Sequence, residues 1–328
     1  MESRRLNILV TGGAGFIGSH VCKLLAGRGY VPVAYDNLSR GNRLAVKWGP
    51  LEIGDTADAM RVRMVLEQYR PIAVMHFAAY AYVGESIENP LGYYGNNVGG
   101  TAGLLQAIAA TGILPFVFSS SCATYGLPAH LPMAEDHPQH PINPYGFTKL
   151  ICEQMLADSG RAHGLPWVAL RYFNAAGSDP DGEIGEAHDP ETHLVPVVLA
   201  AARDGTAVRI FGADYDTADG TCVRDYVHVV DIADAHVRAL DYLLSGGRSV
   251  AFNLANERGY SVREVIATAE RICRRSIRME LAPRRPGDPP VLIGAAERAR
   301  ATLGWTPTRS SLDTQIADAW NWLDRKGG

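Results

Sequence analysis

The feature that most constrains the fold is the glycine-rich stretch "TGGAGFIGSH" at residues 11–20. It follows the apolar run "LNILVT" and opens a segment with helical periodicity. Gly13, Gly15 and Gly18 fit the pattern G-x-G-x-x-G, and Gly12 with the last two fits the related G-x-x-G-x-x-G. Such glycines let the backbone turn tightly and let an anion approach the free N–H groups of the helix N-terminus. The stretch therefore predicts the first strand–turn–helix unit of a dinucleotide-binding fold.

Short apolar runs alternate with longer amphipathic stretches through the first half of the chain. A βαβ series of this kind gives a parallel sheet with helices on both faces. We predict an α/β fold: a Rossmann-like doubly wound parallel sheet in residues 1–175, and a smaller, loop-rich α/β substrate domain in 176–328. Segments at about 225–255 are expected to return to the first domain. The predicted strands are 6–11, 31–36, 49–55, 72–78, 114–120 and 167–174.

The second half of the chain contains three long segments with few apolar residues. "AGSDPDGEIGEAHDPETH" (176–193) and "FGADYDTADGTCVRDY" (211–226) are rich in glycine and aspartate. "LAPRRPGDPP" (281–290) is stiffened by proline and carries two adjacent arginines. Because loops of this length in a compact protein are usually functional, we expect these segments to bind a substrate.

Composition excludes several classes of protein. A net charge of −4 over 328 residues argues against a nucleic-acid or membrane surface. No apolar run approaches the length of a membrane span, and no apolar signal region precedes the first strand. The five cysteines form no metal-ligand spacing, so we expect reduced thiols, no metal site and a cytoplasmic protein. Four histidines also show no spacing typical of metal ligands: His76, His188, His193 and His228.

Two aspartates follow predicted strands. Asp36 ends the second strand eighteen residues after Gly18, where a carboxylate accepts hydrogen bonds from the adenosine ribose hydroxyls. Because this carboxylate also repels a 2′-phosphate, we predict NAD rather than NADP. Asp55 ends the third strand, where it either reaches the adenine edge or caps a helix that begins near residue 57.

A tyrosine stands four residues before a lysine in "INPYGFTKL", just inside a predicted helix start. Residues four apart lie on one helix face, so Tyr145 and Lys149 can present a phenol and an ammonium to one small volume. The chain has only four lysines, which makes a chance pair unusual. The pair indicates acid–base chemistry.

Together these motifs resemble a known family. The glycine turn, "FSSSCATYG" (118–126) and "NPYGFTK" (143–149) are similar to the extended short-chain dehydrogenase/reductase family. The resemblance narrows to its UDP-glucose 4-epimerases through further segments, which run nearly end to end: "HFAAYAYVGES", "YYGNNVGGT", "LRYFNAAGSDPDGEIGE", "ETHLVP", "DGTCVRDYVHV" and "PRRPGD".

The resemblance implies a residue for each part of the site. It implies Tyr145 as the acid–base residue, with Lys149 beside it and Ser121 sharing its hydrogen bond and shuttling the proton. The implied NAD contacts are Gly12, Gly15, Phe16, Ile17, Gly18, Asp36, Asn37, Asp55, Thr56, Phe77, Ala78, Ala79, Asn96, Tyr145, Lys149 and Phe173. The implied substrate contacts are Ser121, Tyr145, Asn174, His193, Leu194, Phe211, Arg224, Arg285, Asp288 and Leu292.

The resemblance also implies a mechanism. UDP-galactose and UDP-glucose would be interconverted by transient oxidation at C4 with tightly bound NAD, rotation of the 4-keto sugar and return of hydride. Arg224 and Arg285 would bind the phosphates, Asp288 the ribose hydroxyls, and Phe211 would pack near the uracil. Positive charge from Lys149 and the oxidised nicotinamide is expected to lower the pKa of the tyrosine. A homodimer built on the helices around 91–110 and 144–160 is also implied.

Two positions depart from the family pattern. Enterobacterial-type members have a lysine that contacts the cofactor where this chain has Ala81. We expect Tyr80, Tyr82 or a backbone N–H to replace it. In the family, a bulky aromatic side chain often lines the sugar pocket at the position where this chain has Leu292. This difference leaves the choice of sugar open.

Three other functions are compatible with parts of this pattern. A nucleotide-sugar dehydratase or decarboxylase commonly needs a carboxylate just after the strand-end serine, where this chain has Cys122 and Ala123. A non-catalytic regulator that senses dinucleotides would typically lack the pair of Tyr145 and Lys149. A UDP-arabinose/UDP-xylose 4-epimerase that works by the same mechanism stays open.

Overall fold

The computed structural model describes residues 6–285 and 287–327, so the charged residues 1–5 and Pro286 of the "PRRPGD" motif lie outside the described residues. The strands are β1 (Asn7–Thr11), β2 (Val31–Asp36), β3 (Leu51–Ile53), β4 (Ala73–His76), β5 (Phe116–Ser121), β6 (Trp167–Tyr172), β7 (Asn174–Ala176), β8 (Ala207–Phe211), β9 (Val223–His228), β10 (Val250–Leu254), β11 (Gly259–Ser261), β12 (Arg278–Ala282) and β13 (Val291–Leu292).

The helices are interspersed with these strands along the whole described chain. They are α1 (Phe16–Gly27), α2 (Ala59–Tyr69), α3 (Val83–Glu88), α4 (Pro90–Tyr93), α5 (Gly100–Thr111), α6 (Pro144–His163), α7 (Leu194–Asp204), α8 (Val229–Leu244), α9 (Val262–Cys273), α10 (Glu297–Leu303) and α11 (Leu312–Gly327). A π-helical turn, Tyr94–Gly99, joins α4 to α5.

The main sheet has seven parallel strands in the order β10-β6-β5-β4-β1-β2-β3. The predicted α/β fold with a doubly wound parallel sheet is confirmed, and the six predicted strands are found with ends shifted by at most two residues. Burial explains why the inner strands read as apolar runs, whereas the edge strand β3 is partly exposed. Phe116, Phe118 and Phe252 are at most 1 % exposed, and each such side chain contributes roughly 1.5–3 kcal/mol by leaving water.

The direction of the sheet's strands positions the candidate site. The chain leaves β1 toward β2 on one side, while β4 pairs with β1 on the other, so the strand order reverses between β1 and β4. Because all seven strands are parallel, their carboxyl ends meet at one edge. Gly12 after β1, Asp36 at the end of β2, Phe77 after β4 and Ser121 at the end of β5 share that edge. A crevice at such a reversal is the usual ligand site of an open α/β sheet.

Residues 229–254 join the main sheet. Strand β10 pairs with β6 as the outermost strand, and α8 packs against α1 on one face. The buried side chains of Ile232, Leu240 and Phe252 belong to the same core as those of Ile8 and Val10. The division of the chain into two domains at residue 175 stays a prediction.

A second layer of structure follows the main sheet. In it β9 pairs with β7 and β13 in parallel and with β11 in antiparallel, while β8 and β12 form a separate parallel pair. Helices α7, α9 and α11 pack on one another around a core that includes Leu199, Val265 and Ile316. Among the described helices, none combines the length and the apolar composition that a membrane span needs.

Candidate active site

The glycine turn leaves a bare helix N-terminus at the carboxyl edge of the sheet. Gly12 has φ +71° and lies so close to the chain after β4 that a Cβ would come within 2.6 Å of Ala78 N. A Cβ on Gly18 would lie 2.2 Å from Gly12 O. No side chain caps α1 at Gly15, so its first N–H groups and the positive end of its dipole can bind an anion. This cradle fits the pyrophosphate of a dinucleotide.

The carboxylate of Asp36 forms one wall beside that cradle. It is 8 % exposed, and its two oxygens accept hydrogen bonds from the backbone N–H groups of Ala14 at 3.0 Å and Leu38 at 2.9 Å. Burial raises the pKa of Asp36, although both N–H groups oppose that shift. A Cβ on Gly41 would lie 2.7 Å from Asp36 Oδ1. The fixed carboxylate keeps lone pairs for the hydroxyls of a ribose.

The residues predicted for the adenine side lie at the ends of β2 and β3. Asp55 accepts hydrogen bonds from the amide of Asn37 and from Ala57 N, both at 2.9 Å. Thr56 is buried beside them. Helix α2 begins at Ala59 and is capped by Asp58, so the alternative that Asp55 caps this helix is wrong.

Asn97 organises the loop that follows β4. It is 2 % exposed, and its amide both accepts from Tyr80 N at 2.8 Å and donates to Tyr80 O at 3.0 Å. The same amide donates to Thr148 on α6, and it accepts from Asn96. The sequence prediction named Asn96 and missed Asn97. The available signal was its spacing of one helical turn from Thr101, whose hydroxyl donates to Asn97 O.

The remaining predicted NAD contacts lie on the same edge of the sheet. They are Phe16 and Ile17 at the start of α1, Phe77, Ala78 and Ala79 after β4, and Phe173 after β6.

The predicted acid–base pair lies at the start of α6. Asn143 caps this helix by accepting from Gly146 N at 2.8 Å, which sets Tyr145 and Lys149 on the inward face. Tyr145 is 9 % and Lys149 3 % exposed. Lys149 Nζ donates to Ser119 O at 2.8 Å and lies 5.9 Å from the centroid of the Tyr145 ring. The helix thus presents a phenol and an ammonium at the carboxyl end of β5.

In the protein alone, burial is the largest influence on the protonation of this pair. Burial raises the pKa of Tyr145 to about 12, while an interaction with the Ser121 hydroxyl lowers it by less. Lys149 is not among the groups that lower it. Burial lowers the pKa of Lys149 itself to about 8, although Cys152 and Glu153 oppose this shift. The protein's own groups therefore keep Tyr145 protonated, and positive charge from a bound cofactor has to supply the expected activation.

Three consecutive serines end β5, and the structure distinguishes their surroundings. Ser119 hydrogen-bonds the hydroxyl of Tyr172. Ser120 donates to Glu153, which also forms a buried ion pair with Arg171. The Ser121 hydroxyl interacts with the Tyr145 phenol and accepts a hydrogen bond of 3.1 Å from Ala123 N. Ser121 is therefore the serine whose hydroxyl faces the acid–base residue.

Two residues predicted to bind different parts of the substrate bind each other. Arg224 on β9 forms an ion pair with Asp288, and its other terminal nitrogen donates to Val223 O at 2.7 Å. The Arg224 side chain is only 11 % exposed. A phosphate that reaches Arg224 must therefore share it with Asp288 or displace that carboxylate.

The two adjacent arginines of the "PRRPGD" loop have different surroundings. Arg284 pairs with Asp214, and its guanidinium carbon lies 4.3 Å from the centroid of the Tyr215 ring. Arg285 lies 4.0 Å from the centroid of Phe211, and no carboxylate in the described part of the chain pairs with it. Arg285 is thus the arginine with free hydrogen-bond donors, and it covers the ring predicted to pack near a base.

The structure brings together four side chains in which the sequence showed no ligand pattern. Each offers one imidazole nitrogen or carboxylate oxygen, and these four atoms lie within 4.8 Å of one another: Glu186, His188, Glu191 and His193. Burial opposes ionisation, but the two imidazoles hold the pKa of Glu186 at about 2. Burial lowers the pKa of both histidines, but the neighbouring carboxylates outweigh this effect. They raise the pKa of His188 to about 9 and also raise that of His193. The cluster is an ion-pair network that fixes this loop beside the cleft.

Three other predicted substrate residues line the second layer. Asn174 begins β7, opposite Tyr226 of β9. Leu194 begins α7, which no side chain caps at His193. Leu292 lies in β13 opposite Arg224 and packs, half-buried, against the main core.

The position of the missing lysine has an unpredicted neighbour. Ala81 is exposed and carries no charge. The guanidinium carbon of Arg40 lies 5.3 Å from the ring centroids of both Tyr80 and Tyr82, and it pairs with Glu85. Its only signal in the sequence is its place four residues after the acidic end of β2.

The geometry defines a dinucleotide-dependent enzyme in which a buried tyrosine, lysine and serine stand beside the cofactor cleft. Comparison with known proteins agrees. Residues 8–255 match the model of the NAD dependent epimerase/dehydratase family. The chain is 54% identical over 323 residues to the UDP-glucose 4-epimerase of Rhizobium meliloti (strain 1021), covering 98% of both chains. The chain belongs to this NAD-dependent family, which confirms the family and the cofactor predicted from the motifs.

Solved structures give the same result. The UDP-glucose 4-epimerase of Brucella ovis, in complex with NAD, has a TM-score of 0.94 and 53% identity, with coverage of 96% of this chain and 97% of that one. A UDP-glucose 4-epimerase from Stenotrophomonas maltophila has a TM-score of 0.94 and 37% identity, with coverage of 98% and 99%. That structure holds NAD and formylated UDP-arabinopyranose.

Proposed function

We propose that this protein is a UDP-glucose 4-epimerase that interconverts UDP-galactose and UDP-glucose. The observation that carries the proposal is the buried group of Tyr145, Lys149 and Ser121 at the carboxyl end of β5, two strands from the glycine turn. The glycine turn and Asp36 would hold NAD, which would supply the hydride acceptor for C4 of the sugar and the source of the returning hydride. The residues matched to the family motifs then need to move only one proton.

Tyr145 is the group that moves this proton. Its phenolate takes the proton from the O4 hydroxyl of the sugar and later gives it back. Ser121 shares the hydrogen bond between O4 and Tyr145 and passes the proton from one to the other. Lys149, held by Ser119 O, keeps a positive charge under the phenol. Positioned acid–base groups of this kind contribute about 10²–10⁴ in rate.

The substrate is held by its nucleotide rather than by its sugar. Arg285 and Arg224 bind the diphosphate, since a guanidinium matches phosphate oxygens with a planar fork of donors. The uncapped start of α7 at His193 and Leu194 adds free N–H groups. Asp288 binds the ribose. With the sugar itself loosely held, the 4-keto intermediate can rotate and present its other face.

The sugar is the least determined part of the proposal. A UDP-arabinose/UDP-xylose 4-epimerase would use the same residues, and one structural relative holds a formylated UDP-arabinopyranose. Incubation with UDP-galactose and, separately, with UDP-arabinose, followed by separation of the products, decides between them. Faster turnover of the hexose supports the main proposal, and faster turnover of the pentose replaces it.

The proposal includes a homodimer in the cytoplasm. Helices α3 and α4 pack against α6, and each of the three helices exposes a large apolar side chain: Ile87 is 59%, Leu91 82% and Phe147 45% exposed. A second copy of the chain would bury them. Light scattering coupled to gel filtration tests this, with twice the mass of 35.4 kDa expected. A monomer at micromolar concentration would contradict the dimer.

A further inference from the structure

The loop between β7 and α7 contains two Glu-x-His units, one formed by Glu186 and His188 and the other by Glu191 and His193. Both histidines direct Nδ1 toward the carboxylates. Nδ1 of His188 lies 3.1 Å from Glu186 Oε1 and 3.7 Å from Glu191 Oε2. Nδ1 of His193 contacts Glu186 and lies 4.0 Å from Glu191 Oε1. The four side chains therefore converge on one small volume.

These separations fit the coordination of a small divalent cation. Zn²⁺ binds imidazole nitrogen at about 2.0–2.1 Å and carboxylate oxygen at about 2.0–2.2 Å, and structural sites have four tetrahedral ligands. Ligand atoms in such a tetrahedron lie about 3.3–3.5 Å apart. The observed separations fall on both sides of this value, so rotations of the side chains are enough to place all four atoms around one ion.

The charges of the cluster also match a divalent cation. Two carboxylates and two neutral imidazoles carry two negative charges, which one Zn²⁺ neutralises. Without a metal, the four groups form the ion-pair network described above, in which the centroids of the two imidazole rings lie 5.4 Å apart. As cations these two rings repel each other. A single ion between the carboxylates removes that repulsion.

One buried atom of the cluster has no hydrogen bond. His188 Nδ1 is shielded from solvent and has no hydrogen-bond partner among the described residues, although two carboxylates are near. Buried polar atoms without a partner are rare in native proteins, and an ion is one of the accepted explanations. The Glu186 side chain is 5% exposed, whereas that of His193 is 41% exposed. The cluster is thus shielded on one side and open to an incoming ion on the other.

Aromatic rings hold the cluster next to the cofactor cleft. Tyr82 lies edge-on to His188 and His193, with ring centroids 5.6 and 6.1 Å apart. Phe16, at the start of α1, lies edge-on to His188 at 6.5 Å. His193 immediately precedes Leu194, the first residue of α7. An ion bound here ties the loop after β7 to the start of α7.

We propose that these four side chains bind one zinc ion, which fixes the loop at 186–193. The ion is structural, because four protein ligands complete the tetrahedron and leave no open position for substrate or water. This site replaces the expectation, drawn from the sequence, that the protein has no metal site. The inference is independent of the proposed function, since zinc binding is measured without a nucleotide-sugar.

The test titrates zinc chloride into protein that carries no histidine tag and keeps its bound cofactor. Metals are first removed with a chelator, and the chelator is removed by dialysis. Calorimetry gives the number of sites and the affinity. Magnesium chloride is the second probe, because Mg²⁺ prefers octahedral oxygen ligands. His188→Gln and His193→Gln each remove one ligand, and His163→Gln is the matched control, since this histidine is exposed at the end of α6.

We expect wild type and His163→Gln to bind about one zinc ion per chain, with no comparable binding of Mg²⁺. Each ligand variant should bind zinc at least about 100-fold more weakly, because even the loss of an outer partner of a metal ligand costs 10- to 100-fold. Zinc should also raise the unfolding temperature of the wild type but not that of either variant.

Three results would overturn the proposal. The first is wild type that binds zinc no more tightly than both ligand variants. The second is an equal loss in His163→Gln, which would show that zinc binds surface histidines in general. The third is equal affinity for Mg²⁺, which would show that the imidazoles are not ligands. If one ligand variant fails to fold, the other provides the same comparison.

Discussion

The cofactor side and the substrate side of the cleft are prepared in different ways. On the cofactor side, Asp36 is held by two backbone N–H groups, and α1 presents an uncapped N-terminus. On the substrate side, Arg224 is paired with Asp288, and Arg285 lies on Phe211. The first set is arranged for its ligand in advance, whereas the second must exchange protein contacts for ligand contacts. Preformed sites bind more tightly because less order is lost on binding.

This difference matches the demands of an epimerase. The cofactor has to stay in place between removal and return of the hydride, while the nucleotide-sugar has to leave after each turnover. The comparison therefore predicts that substitutions on one side change cofactor retention and substitutions on the other change KM. A substitution that changed both quantities equally would contradict that separation.

The largest effect is expected at the residue between the two sides. Tyr145→Phe removes the acid–base group and should lower kcat by about 10²–10⁴. NAD content and UDP affinity should change little, because neither ligand depends on the proton. Steady-state kinetics and calorimetry measure both quantities.

Tyr242→Phe is the matched control, since this tyrosine bonds a surface carbonyl, Arg248 O, away from the cleft. It should retain wild-type kcat. Near-normal turnover of Tyr145→Phe would transfer the acid–base role to another residue.

Next in size is a substitution on the cofactor side. In Gly18→Ala the new Cβ would meet Gly12 O at 2.2 Å, so the glycine turn has to shift. We expect the variant to purify without NAD and to unfold at a lower temperature. The released nucleotide is assayed after denaturation.

Gly27→Ala lies at the other end of the same helix, where a Cβ would meet nothing within 4 Å. It should keep its NAD and gain slightly in stability, because alanine favours a helix over glycine by about 1 kcal/mol. Full NAD content in Gly18→Ala would show that the turn tolerates rearrangement and that the cradle is not preformed.

A substitution on the substrate side should do the opposite. Arg285→Ala removes a guanidinium with free donors and should raise KM for the UDP-sugar by about 10- to 100-fold. NAD content should stay unchanged. The neighbouring Arg284→Ala should change KM by less than threefold, because Arg284 is occupied by Asp214. Equal effects of both substitutions would mean that the loop, and not one phosphate contact, sets KM.

The smallest expected effect is a pH dependence in the loop at 186–193. The pKa of His188 is raised to about 9 by the carboxylates of Glu186 and Glu191, against the opposing effect of burial. Its ion pairs therefore add stability that is fully present below pH 6.5 and is lost as the pH rises through 9. The difference in unfolding free energy between wild type and His188→Gln should thus shrink from pH 6 to pH 10. A difference that grows over this range would contradict the ion-pair network.

Local patterns were sufficient to predict the fold and to predict that Tyr145 and Lys149 lie close together. The inner strands of the main sheet are almost entirely buried, so each appears as an apolar run, and the glycine turn marks where the first one ends. Tyr145 and Lys149 are four residues apart on one helix, so their neighbourhood follows from helical geometry alone.

What the sequence did not predict depends on contacts between distant loops. Arg40 meets Tyr80 and Tyr82 across the cleft, and Arg224 meets Asp288 across 64 residues of chain. No periodicity encodes such pairs. The sequence also did not predict that burial raises the pKa of Tyr145 in the protein alone, because burial is a property of the whole fold.

The most direct test of the central claim follows the hydrogen at C4. Protein as purified, with no added nicotinamide cofactor, is incubated with UDP-galactose that carries deuterium at C4, and the UDP-glucose formed is analysed by mass spectrometry. A cofactor that stays in its preformed site returns the same deuterium, so we predict complete retention at C4 and no need for external NAD. Product that has lost its deuterium, or turnover that consumes one external NAD per sugar, would contradict the account.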